Sequence, residues 1–263
     1  MSLARTIVLS VAVVAALAGA RGSAQQPGGG RQGGAPAPAP RDAAPVDLTG
    51  YWVAVVTEDW RWRMVTPPKG DYASVPLTAE GRKVADAWDP ATDGSCLAYG
   101  APGLMRMPTR LHITWSDAST LAIESDAGQQ TRVLHFGGEA PVGGERTLQG
   151  HSVASWELPA GGRGGRGGRG GGAAPAGPRW APLRVVTTNL RAGWLRRNGV
   201  PYSENAQLTE TFIRFSDGAS EWLTVTARVS DPRYLNQEFL TSSNFRREPD
   251  GSRFRPVPCQ GIT

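Results

Sequence analysis

Two lysines stand against 26 arginines in 263 residues, and there are only three histidines and two cysteines. So few soft ligands exclude a cysteine-rich zinc site and a dense disulfide scaffold. No HxH or HExxH spacing occurs, and no GxSxG elbow or Walker loop. No glycine fingerprint lies between a strand and a helix. These absences argue against zinc-peptidase, serine-hydrolase, nucleotide-binding and NAD chemistry. Long apolar runs are missing after the first two dozen residues, so no membrane span is expected once that segment is removed. What the chain has is tryptophan, nine residues of it, set in segments rich in β-branched side chains. That is enough apolar material for a sizeable core.

The N-terminus reads as a secretory signal over residues 1–24. Arg5 precedes an apolar stretch from Ile7 to Ala18, and small residues lead to Gly22-Ser23-Ala24. Export to the periplasm or medium follows as the expectation. Residues 25–46 are Gly, Pro, Ala and Gln with almost nothing to bury, so they read as a disordered linker. Residues 161–178 open on GGRGGRGGRGGG and read as a disordered Arg-Gly loop inserted within one β domain spanning 47–263. The formal charge of +5 belongs to these segments. Residues 1–24 carry +2, 25–46 carry +1 and 161–178 carry +3, which leaves −1 on the rest. The domain itself is near neutral, and nucleic acid is not an expected partner. In an oxidising compartment an even cysteine count favours a disulfide between Cys96 and Cys259.

From Asp47 onward period-two patterning recurs. Tyr51 to Thr57 is apolar on both faces. Arg110 to Trp115, Thr120 to Ser125, Arg132 to Phe136 and His151 to Leu158 follow. Leu183 to Asn189, Gln207 to Phe215, Glu221 to Val229 and Phe239 to Arg246 complete about nine strands. One helix fits, over Ala79 to Trp88, with Thr78 as cap, Leu77 packing back and Asp89-Pro90 as the stop. The expected fold is mainly β: an antiparallel, lipocalin-like barrel with one flanking helix, or alternatively a two-sheet sandwich.

The opening Asp47-Leu48-Thr49-Gly50-Tyr51-Trp52 resembles the DLSGVW-like start of a widespread family of exported bacterial proteins found in soil lineages. The resemblance continues through Cys96 and Gly100 to Arg106, then Gln149-Gly150-His151-Ser152 and Trp156-Glu157. Tyr202-Ser203-Glu204, Thr209-Glu210-Thr211-Phe212, Asp231-Pro232-Arg233-Tyr234-Leu235 and Pro258-Cys259 carry it to the end. It implies export and a β architecture, and it implies no activity. Relatives have a continuous hairpin where this chain has Trp156-Glu157-Leu158, the Arg-Gly insertion, and Leu183 to Thr188.

Three constellations are candidates for chemistry. His112, His135 and His151 fall on different strands and would hold zinc only if they converged inside a barrel; no metal or other cofactor is expected. Glu210 lies among apolar neighbours and would form an acid–base pair with His151 if both faced one cavity. Trp60-Arg61-Trp62-Arg63 is the densest aromatic-basic run. Strand alternation would put Trp60 and Trp62 on one face and Arg63 on the other. The reading that follows is an exported barrel binding a small, partly apolar molecule, lined by Trp52, Trp60 and Trp62 with Arg63 as polar anchor. The alternative is a cofactor-independent enzyme of the same fold, using Glu210 and His151 for proton transfer.

Overall fold

A computed structural model describes residues 38–92, 96–139, 141, 143–158 and 181–259. Residues 1–24, read above as a signal, most of the expected linker and the Arg-Gly stretch 161–178 lie outside the described residues. Strand β1 (Gly50–Val55) is followed by the helical turn α1 (Trp60–Arg63), helix α2 (Ala79–Ala87) and the short α3 (Ala101–Leu104). Next come β2 (Arg110–Trp115), β3 (Thr120–Ser125), the two-residue β4 (Ala127–Gly128) and β5 (Gln130–Phe136). Then follow β6 (His151–Trp156), β7 (Leu183–Thr188) and the hairpin of β8 (Gly193–Arg196) and β9 (Val200–Tyr202). The long strands β10 (Gln207–Asp217), β11 (Ser220–Ser230) and β12 (Phe239–Glu248) lead to β13 (Val257–Pro258).

Nine of these strands close a barrel in the order β1-β12-β11-β10-β7-β6-β5-β3-β2. Closure removes every edge and excludes the sandwich. Eight of the nine junctions are antiparallel. The ninth is the exception in a mostly antiparallel barrel: β5 and β6 run parallel, with Leu134 beside Ser152 and Phe136 beside Ala154. Both strands run the same way because residues 137–150 carry the chain back before β6 begins, and a parallel pair needs a return of about that length. The insertion at 161–178 falls between β6 and β7, which pair as a hairpin from Trp156 opposite Leu183.

Alternation along each strand fills the interior. Trp52, Leu111, Ile113, Leu121, Ile123, Leu134, Leu183, Phe212 and Phe245 are all essentially inaccessible and form one apolar cluster. Trp52 is anchored there by its indole N–H, which donates to the Leu48 carbonyl at 3.0 Å. It is a core residue in a packed barrel.

A second cluster, including Tyr72, Ala85, Leu195, Tyr202, Val229 and Phe239, caps one end of the barrel with α2 and the β8–β9 hairpin. Helix α2 starts where its signals placed it: Thr78 Oγ1 accepts from the Gly81 N–H at 3.0 Å, and Ala85 faces the core. The C-terminal tail is tied down by a Cys96–Cys259 disulfide with a Cα–Cα distance of 5.5 Å. Parallel pairing of β13 with β4 lies directly beside it.

Candidate functional site

Residues 60–63 form a single helical turn, where strand alternation was expected. Four residues are too few for periodicity to choose between the two. Asp59 enters the turn in the left-handed conformation at φ 53°, and Thr66-Pro67-Pro68 blocks extension beyond it. At 100° per residue the turn puts Arg63 between Trp60 and Trp62, which removes the conflict that a strand would create. Trp62 and Arg63 face inward toward α3 and β8. Trp60 faces outward and is 64% exposed.

Arg63 is 2% exposed, Arg196 3% and Arg106 6%, and all three line one narrow cleft with Trp62 and Arg197. Each has a bond that fixes it. Arg63 donates from Nε to the Arg106 carbonyl at 2.9 Å and from Nη1 to Glu58 at 2.7 Å. Arg106 Nη2 reaches Asp59 at 2.9 Å, and Arg196 Nη1 reaches the Ala73 carbonyl at 2.7 Å. Arg197 Nη2 donates to the Arg63 carbonyl at 2.7 Å. The Arg196 guanidinium lies 4.6 Å from the centre of the Trp62 ring, while Trp62 itself donates to Asp71 at 3.1 Å. Phe239 lies within 5.9 Å of both Arg106 and Arg196.

These bonds do not exhaust the donors. Arg63 Nη2, Arg106 Nη1 and Arg196 Nε and Nη2 are buried without a hydrogen-bond partner. Charge is unbalanced too. Arg61, Arg63, Arg106, Arg196 and Arg197 face Glu58, Asp59 and Asp71, an excess of two positive charges. Burial, and then the neighbouring Arg106, bring the Arg196 pKa down to about 10. Burial lowers Arg63 and Arg197 as well, with Glu58 opposing the shift at Arg63. Buried arginines that line one space and keep unpaired guanidinium N–H groups are complementary to an anionic oxygen group. The cleft has room for about one water-sized group, ≈ 10 Å³.

The other candidates are placed differently. Glu210 is fully buried in the barrel wall and takes two bonds from Arg132, at 3.0 and 2.6 Å. Arg132 also touches Thr187 at 3.3 Å, and Thr187 pairs with Ser152 at 2.8 Å. Since Ser152 is on the Glu210 side, its neighbour His151 points to the outer face. Glu210 and His151 are therefore on opposite sides of the wall and form no acid–base pair. His151 stacks instead on His135, ring centres 4.8 Å apart. Burial, and then His135, lower the His151 pKa. His112 is elsewhere, stacked on Tyr51 at 4.2 Å and bonded to Glu124 at 2.8 Å. The three imidazoles do not converge, and among the described residues no group of three His, Cys, Asp or Glu could hold a metal.

Of the residues singled out in the sequence, the cleft gathers Trp62 and Arg63, with Trp60 on the surface beside them. Trp52 belongs to the barrel core. Arg106, Arg196 and Arg197 were not singled out as site residues. A signal for the last two exists in Asn198-Gly199, a hairpin turn dipeptide that puts Arg196 and Arg197 at the tip of β8–β9. The chain matches no protein-family model, no curated protein and no solved structure.

Proposed function

We propose that this is an exported small-molecule-binding barrel protein whose ligand presents an anionic oxygen group to the Trp62–Arg63–Arg106–Arg196–Arg197 cleft. The observation that carries the reading is the set of four unpartnered, buried guanidinium nitrogens on Arg63, Arg106 and Arg196, three arginines that line one water-sized space. Leaving such donors unpaired costs about 1–3 kcal/mol per group, and an arriving carboxylate or phosphate oxygen relieves that cost. Arg63 keeps the anchoring role that the sequence suggested, but the ligand is held at the capped end of the barrel and not in its filled interior. Export rests on the N-terminal segment, with Arg5 and the apolar stretch Ile7 to Ala18, and accords with the Cys96–Cys259 bond.

Isothermal calorimetry with inorganic phosphate, hexanoate and a cationic control such as choline tests this directly. One or both anions bind and choline does not. Arg196→Met lowers the anion affinity ten- to a hundredfold, the worth of a charge-assisted contact of roughly 1.5–3 kcal/mol. Absence of binding by either anion at millimolar concentration sinks the proposal.

A further inference from the structure

The size of the cleft sets a further condition on the ligand. Space for about one water-sized group admits the tip of an anionic head and nothing more. The rest of the molecule has to lie on the surface where the cleft opens. Helical turn α1, which supplies Trp62 and Arg63 to the cleft, carries exposed apolar side chains beside the exposed Arg61. Trp60 is 64% exposed, Met64 51% and Val65 58%, three large apolar side chains within six residues. Trp60 and Met64 are one helical turn apart, joined by the Met64 N–H to Trp60 carbonyl bond at 2.8 Å, so they share a face. Arg63, the innermost residue of the turn, is next to that face and reaches into the cleft. Single exposed apolar residues need no explanation, but three within six residues, on and just after the turn that carries the buried Arg63, do.

We infer that the ligand is a single-headed amphiphile, with its anionic head in the arginine cleft and an unbranched apolar chain lying along Trp60, Met64 and Val65. The inference rests on the anion reading above and adds the chemical class and the direction in which the ligand leaves the cleft. Outward extension matters for specificity. A compact dianion gains nothing from α1, whereas each methylene laid on Trp60 and Val65 is removed from water on one side. Full burial of a methylene is worth about 0.8 kcal/mol, or fourfold in affinity, so one-sided burial gives about twofold per carbon.

Calorimetry on the full chain with hexanoate, octanoate, decanoate and dodecanoate, each below its micellar concentration, reads the effect. Affinity rises about twofold per carbon, and roughly 60-fold from hexanoate to dodecanoate. In the double variant Trp60→Ser/Val65→Ser that gain per carbon falls toward unity. Both positions are exposed, so an unchanged melting temperature shows that the fold is intact. Equal affinity for every chain length overturns the amphiphile while leaving anion binding in place. Failure of phosphate and every carboxylate to bind overturns both readings together. A last arm uses phosphatidylglycerol vesicles: binding to vesicles but to no monomeric carboxylate would show that α1 meets a bilayer surface, and would overturn the proposal of a monomeric ligand.

Discussion

Two groups of buried arginine in this protein look alike by residue type and burial, yet differ in how completely they are paired. In the barrel wall, Arg132 meets Glu210 through two parallel hydrogen bonds and a third contact to Thr187, leaving only its Nε without a partner. Beneath the barrel, Arg63, Arg106 and Arg196 share two partly exposed carboxylates and leave four nitrogens unsatisfied. A closed ion pair has spent its bonding capacity on the fold. An open one retains capacity for something else. That difference in pairing, more than burial or charge alone, marks one region as structural and the other as a candidate site.

The strongest way to break the comparison is to open the closed pair. Glu210→Ala strands the Arg132 charge in the barrel, which costs about 3–5 kcal/mol and lowers the melting temperature by roughly ten degrees. The double variant Arg132→Met/Glu210→Leu, which removes both charges, returns stability to within about 1 kcal/mol of the parent. Calorimetric melts of the three proteins decide it; a double variant as unstable as the single one would mean that the pair is not a simple charge neutralisation.

A smaller effect is expected at the open cluster. Arg196→Met gives up its bond to Ala73 but also removes an uncompensated buried charge, so stability changes by no more than about 1 kcal/mol. Phosphate at a hundred times its dissociation constant stabilises the parent by about 2.7 kcal/mol and does little for this variant. If Arg196→Met melts as early as Glu210→Ala, the cluster is structural after all and the contrast fails.

The smallest effect concerns acid. His151 lies on the outer wall at the parallel β5–β6 junction, with its pKa held below the ordinary 6.5 by burial and by His135. The folded state therefore binds fewer protons than the unfolded chain as pH falls past 6.5. Stability is full above that value and is lost as pH drops through the lower folded pKa. The melting temperature falls between pH 7 and pH 5, and His151→Gln flattens the slope. An unchanged slope in the variant would assign the acid sensitivity to other groups.

Much of the barrel was legible beforehand because its signals are local. Strands β1, β2, β3, β5, β6, β7, β10, β11 and β12 all fall on segments with period-two patterning, and α2 begins at its Thr78 cap. Short elements were harder. Nothing within Trp60-Arg61-Trp62-Arg63 distinguishes a helical turn from a strand; the left-handed Asp59 before it and the bonds to Asp71, Glu58 and Arg106 settle the matter. The parallel β5–β6 pairing was likewise invisible, since alternation reports faces and not strand direction.

By itself the sequence determined the β class, the positions of the nine barrel strands and the start of α2, and it favoured the Cys96–Cys259 pairing, because patterning and capping act over short range and two cysteines allow one intramolecular bond. Only the tertiary structure decided which arginines meet. Arg63, Arg106 and Arg196 are brought together from three elements far apart in the chain, and Arg132 finds Glu210 across the wall. Whether a buried charge is paired depends on long-range packing, which no single stretch of residues encodes.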